Sequence, residues 1–431
     1  MRGLFWGGIH PEGHKEGTGS SPVPIPPPAK VVLPMVQHLG APCVPLVRPG
    51  DRVKIGQKLG DGRGLCVPVH ASVSGVVAAV EPRRHSSGRE VLSVVIDNDF
   101  QDRIAERPPF LGRMEPEKTV ERIREMGIVG MGGAAFPTYQ KIRSALGQVD
   151  TLIANGCECE PYITADDVLM QTWPEWVIRG IDVLRAVLKP CRTVLAIEDN
   201  KKAAAAELQR CLKGRGEIEL MVLPTRYPQG AEKQLIQAVT GRKVSPTQLP
   251  ITAGCAVFNV ATCTAAGRAV EEGEALTRRI VTVAGGAVAE PKNFLVPVGT
   301  LFQDVIAAAG GLRGEIGQVI SGGPMMGVAQ ESLEVPVLKT TGAILCRRGA
   351  VSVPDKPVCI RCGKCVAVCP VHLQPLYLYR YGGLGDWEEL KRLRLHDCIG
   401  CGCCSYVCPG LLPLVERFRE LRKKGKEGKA S

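Results

Sequence analysis

Eight cysteines in the C-terminal part of the chain constrain its fold more than any other feature. They fall in two runs, Cys359-x-x-Cys362-x-x-Cys365-x-x-x-Cys369-Pro370 and Cys398-x-x-Cys401-x-x-Cys404-x-x-x-Cys408-Pro409. Three thiolates so spaced wrap three iron corners of a cubane, and in a doubled run the fourth cysteine ligates the other cluster. The pattern therefore predicts two [4Fe–4S] clusters. Cys359, Cys362, Cys365 and Cys408 hold one, and Cys398, Cys401, Cys404 and Cys369 hold the other. Pro370 and Pro409 turn the chain away from each cluster. Structural zinc takes four ligands in C-x-x-C pairs, and two copies of a three-plus-one pattern fit it poorly. Cys403 adjoins Cys404, replaces it only by a register shift, and reads as a non-ligand thiol. Cross-ligation sets the clusters close together, as a wire for single electrons and not as a substrate site.

The remaining cysteines do not suggest a disulfide framework. The whole chain has 18 cysteines in 431 residues, and the start, Met1 to Lys15, lacks the apolar core of an export signal. Clustered thiols in a reducing compartment read as metal ligands. No run of about eighteen apolar residues is present, so nothing is expected to span a membrane alone. The formal charge of +11 gathers only at the end, in Arg417, Arg419, Arg422, Lys423, Lys424, Lys426 and Lys429. Without a stacking-aromatic pattern, no nucleic acid is expected as a partner. The basic run reads as a solvated tail, or as a contact for an acidic partner or anionic lipid.

The length exceeds one ordinary domain, and abundant Gly and Pro favour short strands, tight turns and backbone-lined sites. Residues 1–28 end in a proline run and read as an extended arm. Residues 29–110 read as an all-β sandwich of two short-stranded lobes, like lipoyl- and biotinyl-carrier domains. A carrier needs a lysine at a hairpin tip; the turn here is Val69-His70-Ala71-Ser72, so a structural or docking role is expected. Residues 111–272 alternate helix and strand, with helices over 116–126, 173–188 and 201–212 and strands over 151–154, 192–197 and 217–223. That alternation predicts an α/β domain with a mainly parallel sheet. Residues 273–345 form a small α+β unit, residues 346–415 the cysteine module, and residues 416–431 the basic tail.

If the electrons come from or go to a nicotinamide, a flavin must convert hydride pairs into single electrons. A phosphate-cradling loop is then expected, and Gly127 to Thr138 supplies one, with Gly130, Gly132 and Gly133 followed by Lys141. It follows a helix, so it is not the usual βαβ dinucleotide fingerprint; a plain glycine-rich turn is the alternative. Asn155-Gly-Cys157-Glu158-Cys159-Glu160 follows a strand, where α/β sheets hold ligands. Asn155 reads as a partner for a flavin edge, and Glu158 and Glu160 as partners for a nicotinamide nucleotide. The alternative is a solvated acidic turn. With no second pair nearby, Cys157 and Cys159 are not expected to bind metal.

Together these segments resemble a known family. The run Gly130 to Lys141 looks like the flavin-phosphate loop of the flavin subunit of respiratory complex I. Asn155 to Pro161 falls at that family's acidic motif, Tyr227 to Lys233 at its nucleotide-contacting segment, and Phe258-Asn259-Val260 at its flavin-contacting turn. The whole chain, over about residues 5–415, resembles more closely the C subunit of the Rnf ion-translocating electron-transport complex. Segments 7–16, 37–57, 154–167 and 320–327 and the doubled ferredoxin motif match that family in order.

The resemblance implies a peripheral subunit on the cytoplasmic face of a membrane complex that couples ferredoxin:NAD+ electron transfer to Na+ or H+ pumping. It implies non-covalent FMN, NAD(H) as substrate and a β-grasp unit of the soluble-ligand-binding (SLBB) kind. Gly130, Gly132, Gly133 and Lys141 would hold the FMN phosphate, and Asn155 and Asn259 would contact FMN. Glu158, Glu160, Tyr227, Gly230 and Glu232 would line the NAD(H) side. No catalytic acid or base is expected. Cys157 departs from the family by standing where the complex I relatives carry aspartate. Two other contexts keep many of these motifs: a soluble NADH-dependent flavin/iron–sulfur reductase, of the cobalamin-reductase or proline-reductase-associated kind, and a cluster-only electron carrier or scaffold.

Overall fold

The computed structural model describes residues 5–110, 115–349 and 357–427; Lys429 of the basic run lies outside them, as do residues 111–114 and 350–356 at the expected starts of the α/β domain and the cysteine module. Four units follow one another, each with its own core.

The first is a β barrel-sandwich. A four-stranded sheet has the order Lys30–Pro34, Glu90–Asn98, Gly75–Arg84, Arg52–Val53, and faces a three-stranded sheet of Val44–Pro45, Lys58–Asp61 and Val69–His70. Alternate residues of the strands, such as Val31, Leu33, Val94 and Ile96, enter one core. The turn Val69 to Ser72 is buried, and Ser72 Oγ donates to the Val298 carbonyl at 2.5 Å. Burial, aided by nearby Lys339, pushes the His70 imidazole down to about 3, so it packs as a neutral ring. The expected docking role of this turn therefore has a physical basis: the tip is wedged against the rest of the chain.

The second unit is α/β. Its sheet is parallel throughout, in the order Glu219–Leu223, Arg192–Glu198, Thr151–Gly156, Cys255–Asn259. Strands buried on both faces read as continuous apolar runs, as Val194 to Ile197 does. Helix Pro174–Leu188 opens on proline, which lacks only an N–H the first turn does not use. It ends at left-handed Lys189, and Pro190 blocks continuation. It packs on helix Val260–Glu271. Helices Pro116–Glu125, Thr138–Ala145, Ala165–Thr172 and Lys202–Leu212 share that core, and Glu232–Thr240 packs on the other face of the sheet.

The third unit is a six-stranded β-grasp-like sheet with helix Phe302–Ala308 on it. Phe302, Val305 and Ile306 pack on Val281, Val283, Phe294 and Ile344. Its strand order is Val23–Pro24, Lys292–Pro297, Arg278–Ala284, Ala343–Arg348, Ile316–Ser321, Val328–Gln330. Two elements differ from expectation. Strand Ala343–Arg348 sits mid-sheet and crosses the expected boundary at 345. The first strand comes from the N-terminal arm, which pairs in parallel with Phe294 and Leu295. A buried network fixes that junction: Thr18 and Thr164 hydroxyls meet at 2.8 Å, Thr282 Oγ1 donates to Asn293 Oδ1 at 2.7 Å, and Asn293 Nδ2 donates to Thr164 Oγ1 at 2.9 Å.

The fourth unit is the ferredoxin-like cysteine module, closed by helix Leu414–Glu427. Among the described residues, the basic tail is thus part of a packed helix and not a solvated end. Leu414, Val415, Phe418 and Leu421 are buried on its inner face. Arg422 Nη1 donates to the Cys398 carbonyl at 2.7 Å, and Arg417 Nη2 to that of Gly382 at 2.9 Å. No helix among the described residues is long and apolar enough to cross a membrane.

Candidate functional site

The sheet order of the α/β unit reverses between Thr151–Gly156 and Cys255–Asn259, and Asn155 stands opposite Asn259 in their register. Such a switch point, at the carboxyl ends of parallel strands, leaves a crevice for ligands. A cavity of about 420 Å³ opens there, within the range of cofactor sites. Its wall brings together Gly130, Gly132, Gly133, Lys141, Asn155, Gly230, Glu232 and Asn259.

Each wall residue has a local cause. Asn155 Nδ2 donates to the Gly230 carbonyl at 2.9 Å and its Oδ1 accepts from Cys157 N at 3.0 Å, so it clasps two loops. A Cβ at Gly230 would stand 2.1 Å from the Cys157 carbonyl oxygen, and one at Gly132 would stand 2.9 Å from Asn259 Cβ; only glycine lets these segments close. Asn259 caps helix Val260–Glu271, accepting from Ala261 N at 2.9 Å, and its Nδ2 donates to Asp166 Oδ2 at 2.6 Å. Lys141 pairs with Glu232 across the wall and lies 5.4 Å from the Phe258 ring centre.

Three expected site residues do not line this cavity. Glu158 accepts from Asp166 N at 2.8 Å at the start of helix Ala165–Thr172 and faces Lys201 at 3.5 Å. Glu160 accepts from Met325 N at 3.1 Å and Met326 N at 2.9 Å, and burial pushes its carboxyl up to about 7. Tyr227 is buried, and its hydroxyl donates to the Cys401 carbonyl at 2.7 Å. Their polar atoms are engaged behind the wall, so they shape the cavity without facing a nucleotide in it. Cys157 and Cys159 pack as thiols; burial pushes both up, Cys159 to about 12.

Sequence reasoning missed several residues. Lys15 of the arm donates to the carbonyls of Glu158 at 2.8 Å, Glu160 at 2.9 Å and Ile163 at 2.5 Å, pinning the acidic turn from outside. Burial brings its ammonium down to about 8. Met326 and Ile399 enter the cavity wall from other units. Neither carries a local signal, because neither is near the flavin segments in sequence.

The structure gathers the cysteines of the two runs around two small cavities. A small cavity is lined by Cys359, Cys362, Cys365 and Cys408, and a second by Cys369, Cys398, Cys401, Cys404 and Cys403. Each draws its fourth expected ligand from the other run. Cys359 and Cys362 are exposed, whereas Cys369, Cys401 and Cys404 are buried. Cys401 also lines the large cavity. Backbone amides already point at sulfur: Leu373 N to Cys369 Sγ at 3.3 Å and Gly400 N to Cys398 Sγ at 3.4 Å. Such N–H groups stabilise bound thiolates and tune cluster potential.

The donor sets fit the cofactors that the motifs imply. Four expected cysteine ligands line each small cavity, with Cys403 as a fifth thiol in the second, and such a donor set suits an iron–sulfur cubane. The large cavity offers a glycine loop, a lysine and asparagine amides, and Thr138 Oγ1 in its wall is buried without a hydrogen-bond partner among the described residues. An orphaned hydroxyl at the start of helix Thr138–Ala145 suits a phosphate oxygen.

Comparison with known proteins agrees. Residues 4–101 match the family model described as the RnfC barrel sandwich hybrid domain, and residues 123–268 the Nuo51 FMN-binding domain. Residues 280–329 match the SLBB domain and residues 352–409 the 4Fe-4S dicluster domain. The chain thus carries an FMN site and two [4Fe–4S] sites. It is 43% identical over 395 residues to the C subunit of the Na+-translocating ferredoxin:NAD+ oxidoreductase complex of Acetobacterium woodii, covering 90% of this chain and 89% of that one. It is 40% identical to the C subunit of the proton-translocating ferredoxin:NAD+ oxidoreductase complex of Clostridium ljungdahlii, covering 90% and 86%. It is 42% identical to the C subunit of the ion-translocating oxidoreductase complex of Yersinia pestis, covering 96% and 68%. With its four units in this order, the chain belongs to the family of C subunits of ion-translocating ferredoxin:NAD+ oxidoreductase complexes, the Rnf family.

Proposed function

We propose that this chain is a peripheral subunit, on the cytoplasmic face, of a membrane complex that passes electrons between NAD(H) and ferredoxin while partner subunits move Na+ or H+. The observation that carries the reading is the position of Cys401, which lines both the small cavity of Cys369, Cys398 and Cys404 and the wall that holds Gly132, Asn155 and Asn259. Cofactor cavity, buried cluster and exposed cluster thereby form one series, ending at the solvent-facing Cys359 and Cys362.

Bound FMN supplies exchange of a hydride with NAD(H) and of single electrons with iron–sulfur centres. The protein supplies position and electrostatics. Backbone N–H groups of Gly132 and Gly133 would receive the phosphate, with Lys141 as counter-charge, while the Gly130 N–H is bonded to the Phe136 carbonyl at 2.9 Å and holds the loop in shape. Asn155 and Asn259 orient the ring, each amide being locked by its own protein partner. Gly230 and Glu232 border the nicotinamide side. No side chain is assigned as an acid or base. The names of the relatives differ in the ion moved, and that choice is assigned to partner subunits.

Anaerobic purification with metal, sulfide and flavin analysis tests the reading. About eight iron atoms per chain are expected from two cubanes, with one FMN, and NADH should bleach the flavin and reduce the clusters. Zinc in place of iron, or a flavin that NADH reduces without any cluster signal following, overturns it.

A further inference from the structure

A second cavity, of about 170 Å³, lies between helix Val260–Glu271 and the start of strand Arg278–Ala284, and Met131 borders both this space and the cofactor cavity. Most of its wall is apolar, including Ile128, Leu169, Leu276 and Ile280. Two polar side chains in that wall lack the partners their burial demands. Arg279 is 6% exposed, its Nη1 donates only to Met131 Sδ at 3.3 Å, and its Nε has no partner among the described residues. Thr264 is 5% exposed, and its hydroxyl is likewise unpartnered.

A thioether is a weak acceptor, and a guanidinium keeps its charge even where burial lowers its pKa. A buried cation without a hydrogen-bonded anion is strongly unfavourable. Asp166, which also lines the cavity, and Glu158 act on Arg279 as charges, but among the described residues neither carboxylate is hydrogen-bonded to it. Asp166 accepts from Asn259 Nδ2, and Arg268 at the rim pairs with Glu274 at 3.3 Å. Exposed Arg278, also in the wall, adds to the positive field at the mouth.

We propose that this cavity is a ligand site distinct from the cofactor cavity, and that it takes a small organic carboxylate. The carboxylate meets the Arg279 fork and the Thr264 hydroxyl, and a short hydrocarbon body lies against Leu169, Leu276 and Ile280. A planar guanidinium matches a carboxylate bidentately. The volume is below that of sites for drug-sized ligands, which excludes a nucleotide. The apolar wall disfavours inorganic phosphate, whose remaining oxygens would be buried unsatisfied.

Ligand-observed NMR on the full-length, FMN-loaded protein, with sodium butyrate as the probe, tests this. Saturable binding is expected for butyrate, and none for butyramide or inorganic phosphate at matched ionic strength. Thr264→Val keeps the side-chain shape and should weaken butyrate about tenfold, the scale of one lost hydrogen bond to a charged ligand. Arg279→Met should abolish binding; if that variant does not fold, Ala265→Leu, which fills the space from the helix side, should abolish it instead. Butyrate binding unchanged in Thr264→Val and Ala265→Leu, or phosphate competing as well as butyrate, overturns the proposal.

Discussion

Asn155 and Asn259 face each other across two adjacent parallel strands, and each amide is committed to a different partner, Gly230 for the first and Asp166 for the second. The pair therefore ties the floor of the cofactor cavity to two separate loops. The two residues should fail differently. Asn259→Ala removes a helix cap, worth about 1 kcal/mol, and leaves Asp166 without its donor. It should lower the melting temperature and release FMN on desalting. Asn155→Ala spares the cap, and should weaken FMN retention with a smaller thermal change. Thermal unfolding and flavin retention read the difference; equal melting shifts would contradict it.

Tyr227 separates a nucleotide-contact role from a docking role. Tyr227→Phe removes only the donor to the Cys401 carbonyl, leaving a buried acceptor unpaired at a cost of about 1–3 kcal/mol. The KM for NADH should stay within about twofold, since this loss of about one hydrogen bond lies outside the cavity wall. The signal of the buried cluster, read by electron paramagnetic resonance, should shift or broaden. A large rise in KM with an unchanged cluster signal would restore the contact role.

Cross-ligation predicts which cluster each cysteine controls. Cys408→Ala should remove the exposed cluster and Cys369→Ala the buried one. In each case iron falls from about eight to about four atoms per chain. Cys403→Ala should keep both. Cys369→Ala should also slow cluster reduction by NADH far more than Cys408→Ala does, because Cys401 of the same set borders the cofactor cavity. Loss of the same cluster in both variants would rule out the crossed arrangement.

Glu198 gives stability a pH dependence. It is fully buried, with Oε2 unpartnered among the described residues, and burial raises its carboxyl from 4.5 to about 7. The folded pKa lies above the unfolded one. Between about pH 4.5 and 7 the native state holds a proton that the unfolded state has released. Its contribution to stability thus falls as pH rises through that window and levels off above it. The protein should be more stable at pH 6 than at pH 8 by on the order of 1 kcal/mol from this group. Glu198→Gln should shrink the difference, leaving the parts due to Glu160, which burial raises to about 7, and Asp166, which burial raises to about 6. Chemical denaturation at the two pH values measures it, and an undiminished difference in the variant refutes the assignment.

The closing helix of the cluster module is structural. Phe418→Ala should cost about 3 kcal/mol, typical of a buried phenylalanine truncation, and make both clusters labile to mild denaturant. Exposed Lys423 and Lys424 on the same helix should tolerate alanine. Cluster bleaching against urea concentration compares them; equal sensitivity would argue for a free tail.

What could be read from sequence followed how local its cause is. The cysteine spacing fixes three positions of each set within a dozen residues, and the repeat of the pattern points to the fourth, so the cysteines that line each small cavity were legible. The glycine loop and the two asparagines sit at turns whose backbone needs are local. Side-chain direction is not. Glu158 and Glu160 occupy the expected turn, but Lys15 and the Met325–Met326 amides, far away in sequence, decide where that turn points. Net charge also misled. Leu414, Val415, Phe418 and Leu421 recur at helical spacing between the basic residues, and that periodicity, rather than the charge, decides which face is buried. Strand Ala343–Arg348 was missed because its place mid-sheet depends on partners at Thr282 and Ile320.

The arm that begins the chain has a consequence for biosynthesis. Gly8 N bonds to the Val368 carbonyl, Ile9 pairs with Tyr227, and Val23 pairs with Phe294. A ribosome makes this segment before any of those partners exists. The arm is therefore synthesised ahead of its partners and closes only after the cluster module has been translated. That latch joins the arm both to the segment that enters the cavity wall at Pro228 and to the cluster module.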